Sequence, residues 1–180
     1  DAAKSGIVQF GVQRGSFPEP HAAAIRANPN LLIAIAQSPR REAQVAAAQA
    51  MMDYQVNGQQ KITLTPEHKA ALFALMTSND TAVAASATTS GSGGWHDDKA
   101  DPEIRQLLIE QCANEPRVSV RAAACYGIVA QLNTKFGQDE QGMAAAAAAL
   151  EDEDPYVVMR TLDIMNAMTI SSKHFDKVLA

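Results

Sequence analysis

The sequence predicts an all-α protein built as a stack of helical hairpins, and three observations carry that expectation. A phrase recurs about every forty residues: Ser38-Pro39-Arg40-Arg41-Glu42-Ala43-Gln44, then Glu115-Pro116-Arg117-Val118-Ser119-Val120-Arg121, then Asp154-Pro155-Tyr156-Val157-Val158-Met159-Arg160. Each copy opens an apolar helical run, and a period of that length is the signature of stacked helical repeats. Much of the 47% hydrophobic content is alanine, with runs at 46–48, 122–124 and 144–149. Alanine is the best helix former and the smallest apolar contact, so it lets helices approach closely. Only 5% of residues are aromatic and β-branched runs are few, which argues against a sheet.

Taken in order, residues 1–28 do not repeat. Ile7, Phe10 and Val12 precede a Gly15-Ser16-Phe17-Pro18 turn and suggest one short helix, with a second at 20–27. Together they would cover the exposed end of the first repeat. Helix starts are then marked by Ser38-Pro39, Thr65-Pro66, Asp101-Pro102 and Asp154-Pro155, each placing a capping side chain before a proline whose missing N–H is harmless in a first turn. These marks give first helices at about 30–37, 66–77, 102–113 and 140–150. Each is followed by a second helix, at about 39–55, 79–89, 116–132 and 155–168. Four hairpins therefore fill residues 29–170, and residues 171–180 begin a further helix, all within a single domain of 1–180.

Superposing the second helices on their prolines tests the repeat. After Pro116 the fourth and fifth residues are Val120 and Arg121, followed by Ala123, Ala124, Cys125 and Gly127; after Pro39 the same slots hold Ala43, Gln44, Ala46, Ala47, Ala48 and Ala50. After Pro155 they hold Met159, Arg160 and Leu162, while the copy from Asn79 keeps Val83 and Ala87. The pattern resembles the HEAT and HEAT-like (armadillo-type) repeat family, whose second helix opens with Asp-Pro, places Val-Arg four and five residues later and continues in alanines. The resemblance covers residues 29–170 and implies a right-handed α-solenoid of about four hairpins. It departs at Gln44 and Ala84 in the arginine slot and at Asn79, where the acid-proline pair is missing. It also implies that Arg121 and Arg160 form a structural ladder toward Glu115 and the acidic run 151–154; a clamp for an acidic ligand is the functional alternative, since a guanidinium suits bidentate carboxylates.

The segment Thr88 to Ala100 departs most from the period. Its glycines and serines read as ending the second helix of the second hairpin early, before the single tryptophan, Trp95, beside His96, Asp97 and Asp98. Long connections carry function and an aromatic anchor suits an interface; equally, Trp95 could plug the gap left by a short helix. His96, Asp97, Asp98, Asp101 and Glu103 could ligate a divalent metal, but no His-Glu-x-x-His, Cys-x-x-Cys or calcium-loop spacing is present. No phosphate-cradling loop, nucleophile with its base, or paired carboxylates has a recognisable spacing, so no cofactor and no catalytic residue is assigned. His21, His68 and His174 are scattered and read as exposed.

A formal charge of −5 disfavours nucleic acid and anionic membrane as partners. The longest uncharged apolar stretch, 142–150, falls far short of the roughly 20 residues that cross a bilayer, so a soluble chain without membrane insertion is expected. Cys112 lies about three residues before the third hairpin's turn and Cys125 about nine after it. At 1.5 Å per residue this offsets them by roughly 9 Å, beyond disulfide reach, and both are expected to be buried unpaired thiols. The chain begins at Asp1 rather than Met; removal of a targeting segment or excision from a longer chain would each leave such a start, and periplasmic or other export is favoured over the cytoplasm. The expected role is a non-catalytic protein-binding or scaffolding module, with Arg40, Arg41, Arg117, Tyr156, Trp95, His96, Asp97 and Asp98 toward the partner. The alternative is an enzyme or metal-dependent protein centred on residues 95–103.

Overall fold

A computed structural model describes residues 17–53, 55–56, 60–61, 64–93, 101–131 and 140–167. The chain divides into two compact units, 1–90 and 91–180. Among the described residues the structure is helical apart from one two-residue antiparallel pairing. No helix of the described residues is long and apolar enough to cross a membrane.

The first unit holds α1 (Glu19–Ala27), α2 (Leu31–Ala36), α3 (Arg41–Asp53), β1 (Gln55–Val56), β2 (Gln60–Lys61), α4 (Pro66–Met76) and all but the last three residues of α5 (Thr81–Gly93). Helix α3 packs on both α2 and α4. Its contact stripe is Ala47, Ala48, Ala50 and Met51, all fully buried. Three alanines within four residues leave little side chain between helix axes, which permits close packing at native density. Strands β1 and β2 pair antiparallel, Gln55 opposite Lys61 and Val56 opposite Gln60, a pairing that the helical reading passed over. Helix α5 runs on through Ser90 to Gly93, so the glycine-serine segment does not end it where the sequence reading placed the break. The hydroxyls explain how: Thr89 donates to the Ala85 carbonyl at 3.0 Å and Ser90 to the Ser86 carbonyl at 2.8 Å. Each is satisfied inside the helix, four residues back, instead of competing with it.

The second unit holds α6 (Pro102–Asn114), α7 (Val118–Gln131), α8 (Glu140–Leu150) and α9 (Pro155–Ala167). Helix α7 is its centre, packing against α6, α8 and α9. It is buried nearly all round, through Val120, Ala124, Ile128 and Val129 among others. Val129, Ala130, Ala146, Ile164 and Met165 form a core shared by α7, α8 and α9.

Cys112 and Cys125 are joined in a disulfide, with Cα atoms 4.8 Å apart, which corrects the expectation of unpaired thiols. The error lay in treating the hairpin as flush at its turn. Four backbone steps from Asn114 to Val118 can span roughly 13 Å when extended, and Glu115 is extended (φ −72°, ψ 119°). That reach absorbs the axial stagger, so the end of α6 lies against the middle of α7 and the two sulfurs meet.

Candidate functional site

The hairpin turns carry the repeat in their hydrogen bonds. In each, a side-chain oxygen accepts from the backbone N–H two residues on: Arg40 N–H donates to Ser38 Oγ at 3.2 Å and Asp80 N–H to Ser78 Oγ at 3.2 Å. Arg117 N–H donates to Glu115 Oε1 at 3.1 Å and Asp154 N–H to Asp152 Oδ1 at 2.8 Å. These local side-chain bonds add to the backbone bonds that close each turn. Three residues after each accepting residue the second helix begins, at Arg41, Thr81, Val118 and Pro155.

This geometry fixes a register that the prolines do not. Pro39 and Pro116 directly follow the accepting residue, whereas Pro155 is already the first residue of α9. Counted from the turn, the position six residues on holds Gln44, Ala84, Arg121 and Val158. Arg160 is therefore two residues beyond the slot of Arg121, and its surroundings differ: its guanidinium carbon lies 4.9 Å from the centre of the Tyr126 ring and Nη1 is 3.9 Å from Asp163 Oδ2. It makes a cation–π contact within the unit and not a bond to a turn.

Arg121 joins two consecutive turns. Its Nε–H and Nη2–H donate to the two carboxylate oxygens of Asp152 at 2.8 and 3.1 Å, and its Nη1–H donates to the Glu115 carbonyl at 2.8 Å. Both side chains are only 11% exposed, so this bidentate pair is shielded from water and salt. The Arg121 hydrogen bonds hold the Asp152 carboxyl below its usual range, and Asp152 in turn raises the guanidinium. Glu115 is likewise lowered, chiefly by Arg117, whose Nε–H and Nη2–H donate to its two oxygens at 2.7 and 2.9 Å.

The first unit has a looser counterpart. Arg41 Nε–H donates to Asp80 Oδ2 at 2.7 Å, while Asp80 Oδ1 accepts from the N–H groups of Ala82 and Val83 and so caps α5. Arg41 lowers the Asp80 carboxyl, but the pair is solvent-exposed. Of the residues expected to face a partner, Arg41 and Arg117 are thus engaged in turns, Arg40 is exposed, and Tyr156 is 45% exposed on α9. Arg40 and Arg41 belong to the first unit, Arg117 and Tyr156 to the second. Trp95, His96, Asp97 and Asp98 lie outside the described residues, as does His174.

Asp101, a possible metal ligand by sequence, caps α6, its Oδ1 accepting from the N–H groups of Glu103 and Ile104. His68 is buried and not exposed as expected: its Nδ1 accepts from the Thr65 N–H at 3.2 Å, and its Nε2 lies 3.0 Å from the Pro29 carbonyl oxygen. With Nδ1 accepting, Nε2 carries the proton and donates, so one ring caps α4 and ties it to the turn before α2. Arg105 is also buried, its Nη1–H donating to Gln131 Oε1 at 2.9 Å, with Gly142 of α8 against its guanidinium.

Sequence reasoning turned Tyr156 toward a partner but missed Met159 and Leu162 beside it on the exposed face of α9. Tyr156, Met159 and Leu162 are 45, 49 and 46% exposed, and Met159 and Leu162 help line a depression of 480 Å³ with Pro155, Val158 and the acids Asp152, Glu153 and Asp163. Superposition on the prolines had put Met159 in the buried slot of Val120; the turn register gives that slot to Val157, which is fully buried. A second groove, of 560 Å³, is lined mainly by Ile33, Ala36, Ala70, Ala74 and Leu75 in the first unit. Comparison with protein-family models, with curated proteins and with solved structures gave no match to this chain.

Proposed function

We propose that this chain is a non-catalytic protein-binding or scaffolding module of the HEAT-like kind, a right-handed α-solenoid of about four hairpins acting outside the cytoplasm. The observation that carries the reading is the recurrence of one turn, with the same side-chain-to-backbone bond and the same distance to the next helix, at Ser38, Ser78, Glu115 and Asp152. Repeats of this size cannot bury their apolar faces alone, and stacking them produces long surfaces suited to recognition. Arg121 linking the turns at Glu115 and Asp152 supports stacking of consecutive hairpins in one sense. The Cys112–Cys125 disulfide supports an oxidising compartment, where such bonds persist.

Small-angle scattering tests the architecture: a compact chain of this length has a radius of gyration of about 16 Å, and a solenoid exceeds it. Affinity capture from native extract tests the role. A stoichiometric protein partner, lost when Arg40→Glu and Tyr156→Ala are combined in a variant with an unchanged melting curve, is the expected result. Recovery of no protein partner, together with a stoichiometric metal in the purified protein, would replace this reading with the metal-dependent one.

A further inference from the structure

Resting on that protein-binding reading, we propose that the outer face of α9 docks a cationic amphipathic helix of a partner protein. Among the described residues the large exposed apolar side chains are Tyr156, Met159 and Leu162, all on this one helix. Steps of three residues keep them on one side of α9, where they form a continuous stripe of the width a helix presents. Singly exposed apolar residues are ordinary; three aligned on one helix, beside a 480 Å³ depression, are a recognition surface.

The repeat itself indicates the shape of the occupant. Counted from the turn, Met159 and Leu162 hold the positions of Ala122 and Cys125 in α7, which are 1% and 0% exposed. A face that is closed by neighbouring helices in one repeat is thus open in the next. Its small residues have been replaced by long apolar ones that reach outward. The geometry therefore suits a helix laid along α9, recognised through apolar anchors at i, i+3 and i+4 spacing.

Charge selects among helices. Glu151, Glu153 and Asp163 are exposed, while Asp152 is paired with Arg121 and Arg160 is drawn over Tyr126 with its Nη1 3.9 Å from Asp163 Oδ2, so these four acids outnumber the two cations beside them. The rim of the stripe is therefore acidic and attracts Lys or Arg flanking the partner's apolar anchors. The same rim opposes a second copy meeting this face symmetrically, since carboxylates would then face carboxylates in a chain already at −5. It equally opposes an anionic lipid surface.

The test uses the full chain and a labelled model peptide of about five helical turns, made of leucine and lysine in amphipathic order, beside a leucine-glutamate peptide of the same pattern. Fluorescence anisotropy should show the lysine peptide binding at least tenfold more tightly than the glutamate one. Leu162→Ser with Met159→Ser should weaken that binding at least tenfold, and Glu153→Lys with Asp163→Lys should reverse the preference, each with an unchanged circular dichroism melt. Equal binding of the two peptides, or full binding by the serine variant, overturns the proposal. So does concentration-dependent dimerisation in sedimentation that the serine variant abolishes, which would assign the stripe to a second copy. A partner captured from extract equally well by the serine variant would reject this surface while leaving the protein-binding role standing.

Discussion

Reducing the Cys112–Cys125 bond should destabilise the second unit by an amount its loop length sets. The two cysteines are 13 residues apart, and closing a loop of that size lowers the entropy of the unfolded chain enough to stabilise the fold by about 3 kcal/mol. A unit of this size has a total stability of roughly 5–10 kcal/mol, so the bond accounts for a large share of it. With a urea m value of about 1–2 kcal/mol/M, the unfolding midpoint should fall by about 1.5–3 M in dithiothreitol. The assay is urea unfolding of wild type and of the Cys112→Ala/Cys125→Ala variant, each with and without reductant. Wild type should respond and the variant should not. Because the chain has two units, the transition is fitted in two steps and only the step belonging to residues 91–180 should move. Two thiols titrating in unreduced, denatured protein, or a wild-type midpoint indifferent to reductant, would refute the reasoning.

Three further outcomes follow from the same contacts. Gly142→Ala should destabilise by about 1–2 kcal/mol, since the new Cβ meets the buried Arg105 guanidinium and overpacking outweighs the roughly 1 kcal/mol gained in helix propensity; a raised melting temperature would mean that Arg105 yields freely. His68→Ala should cost about 2–4 kcal/mol by orphaning the Thr65 N–H and the Pro29 carbonyl, and His68→Gln, which can still accept from Thr65, should cost less, both read by thermal melts. Asp152 and Glu115 are held below their usual values by Arg121 and Arg117, so their contribution is complete above their unfolded values and is lost as the pH falls through the folded ones; stability should drop below about pH 4, and less steeply in Asp152→Asn.

The alanine runs, the prolines in helix first turns and the forty-residue period made the helical hairpins legible in the sequence, because each of these signals acts within a few residues of its own position. Helices α4 and α6 begin where Pro66 and Pro102 mark them, and Ala47 and Ala124 are buried as their spacing suggests. The α5 ending was misread for a reason that is also local: serine and threonine favour breaks only when their hydroxyls bond outside the helix, and those of Thr89 and Ser90 bond within it.

What the sequence by itself determined is thus most of the helices among the described residues and the pairing of α2 with α3, α6 with α7 and α8 with α9. Tertiary structure alone decided the register of α9, the bridging of Cys112 to Cys125, which acid of the run 151–154 Arg121 holds, the burial of His68 and the exposure of Met159 and Leu162. The physical reason is common to all of them. Propensity and capping depend on neighbours along the chain, whereas whether a side chain is paired, buried or open depends on the stagger and packing of helices distant in sequence. A shift of two residues in one turn left every helix in place and exchanged the buried face of α9 for its exposed one.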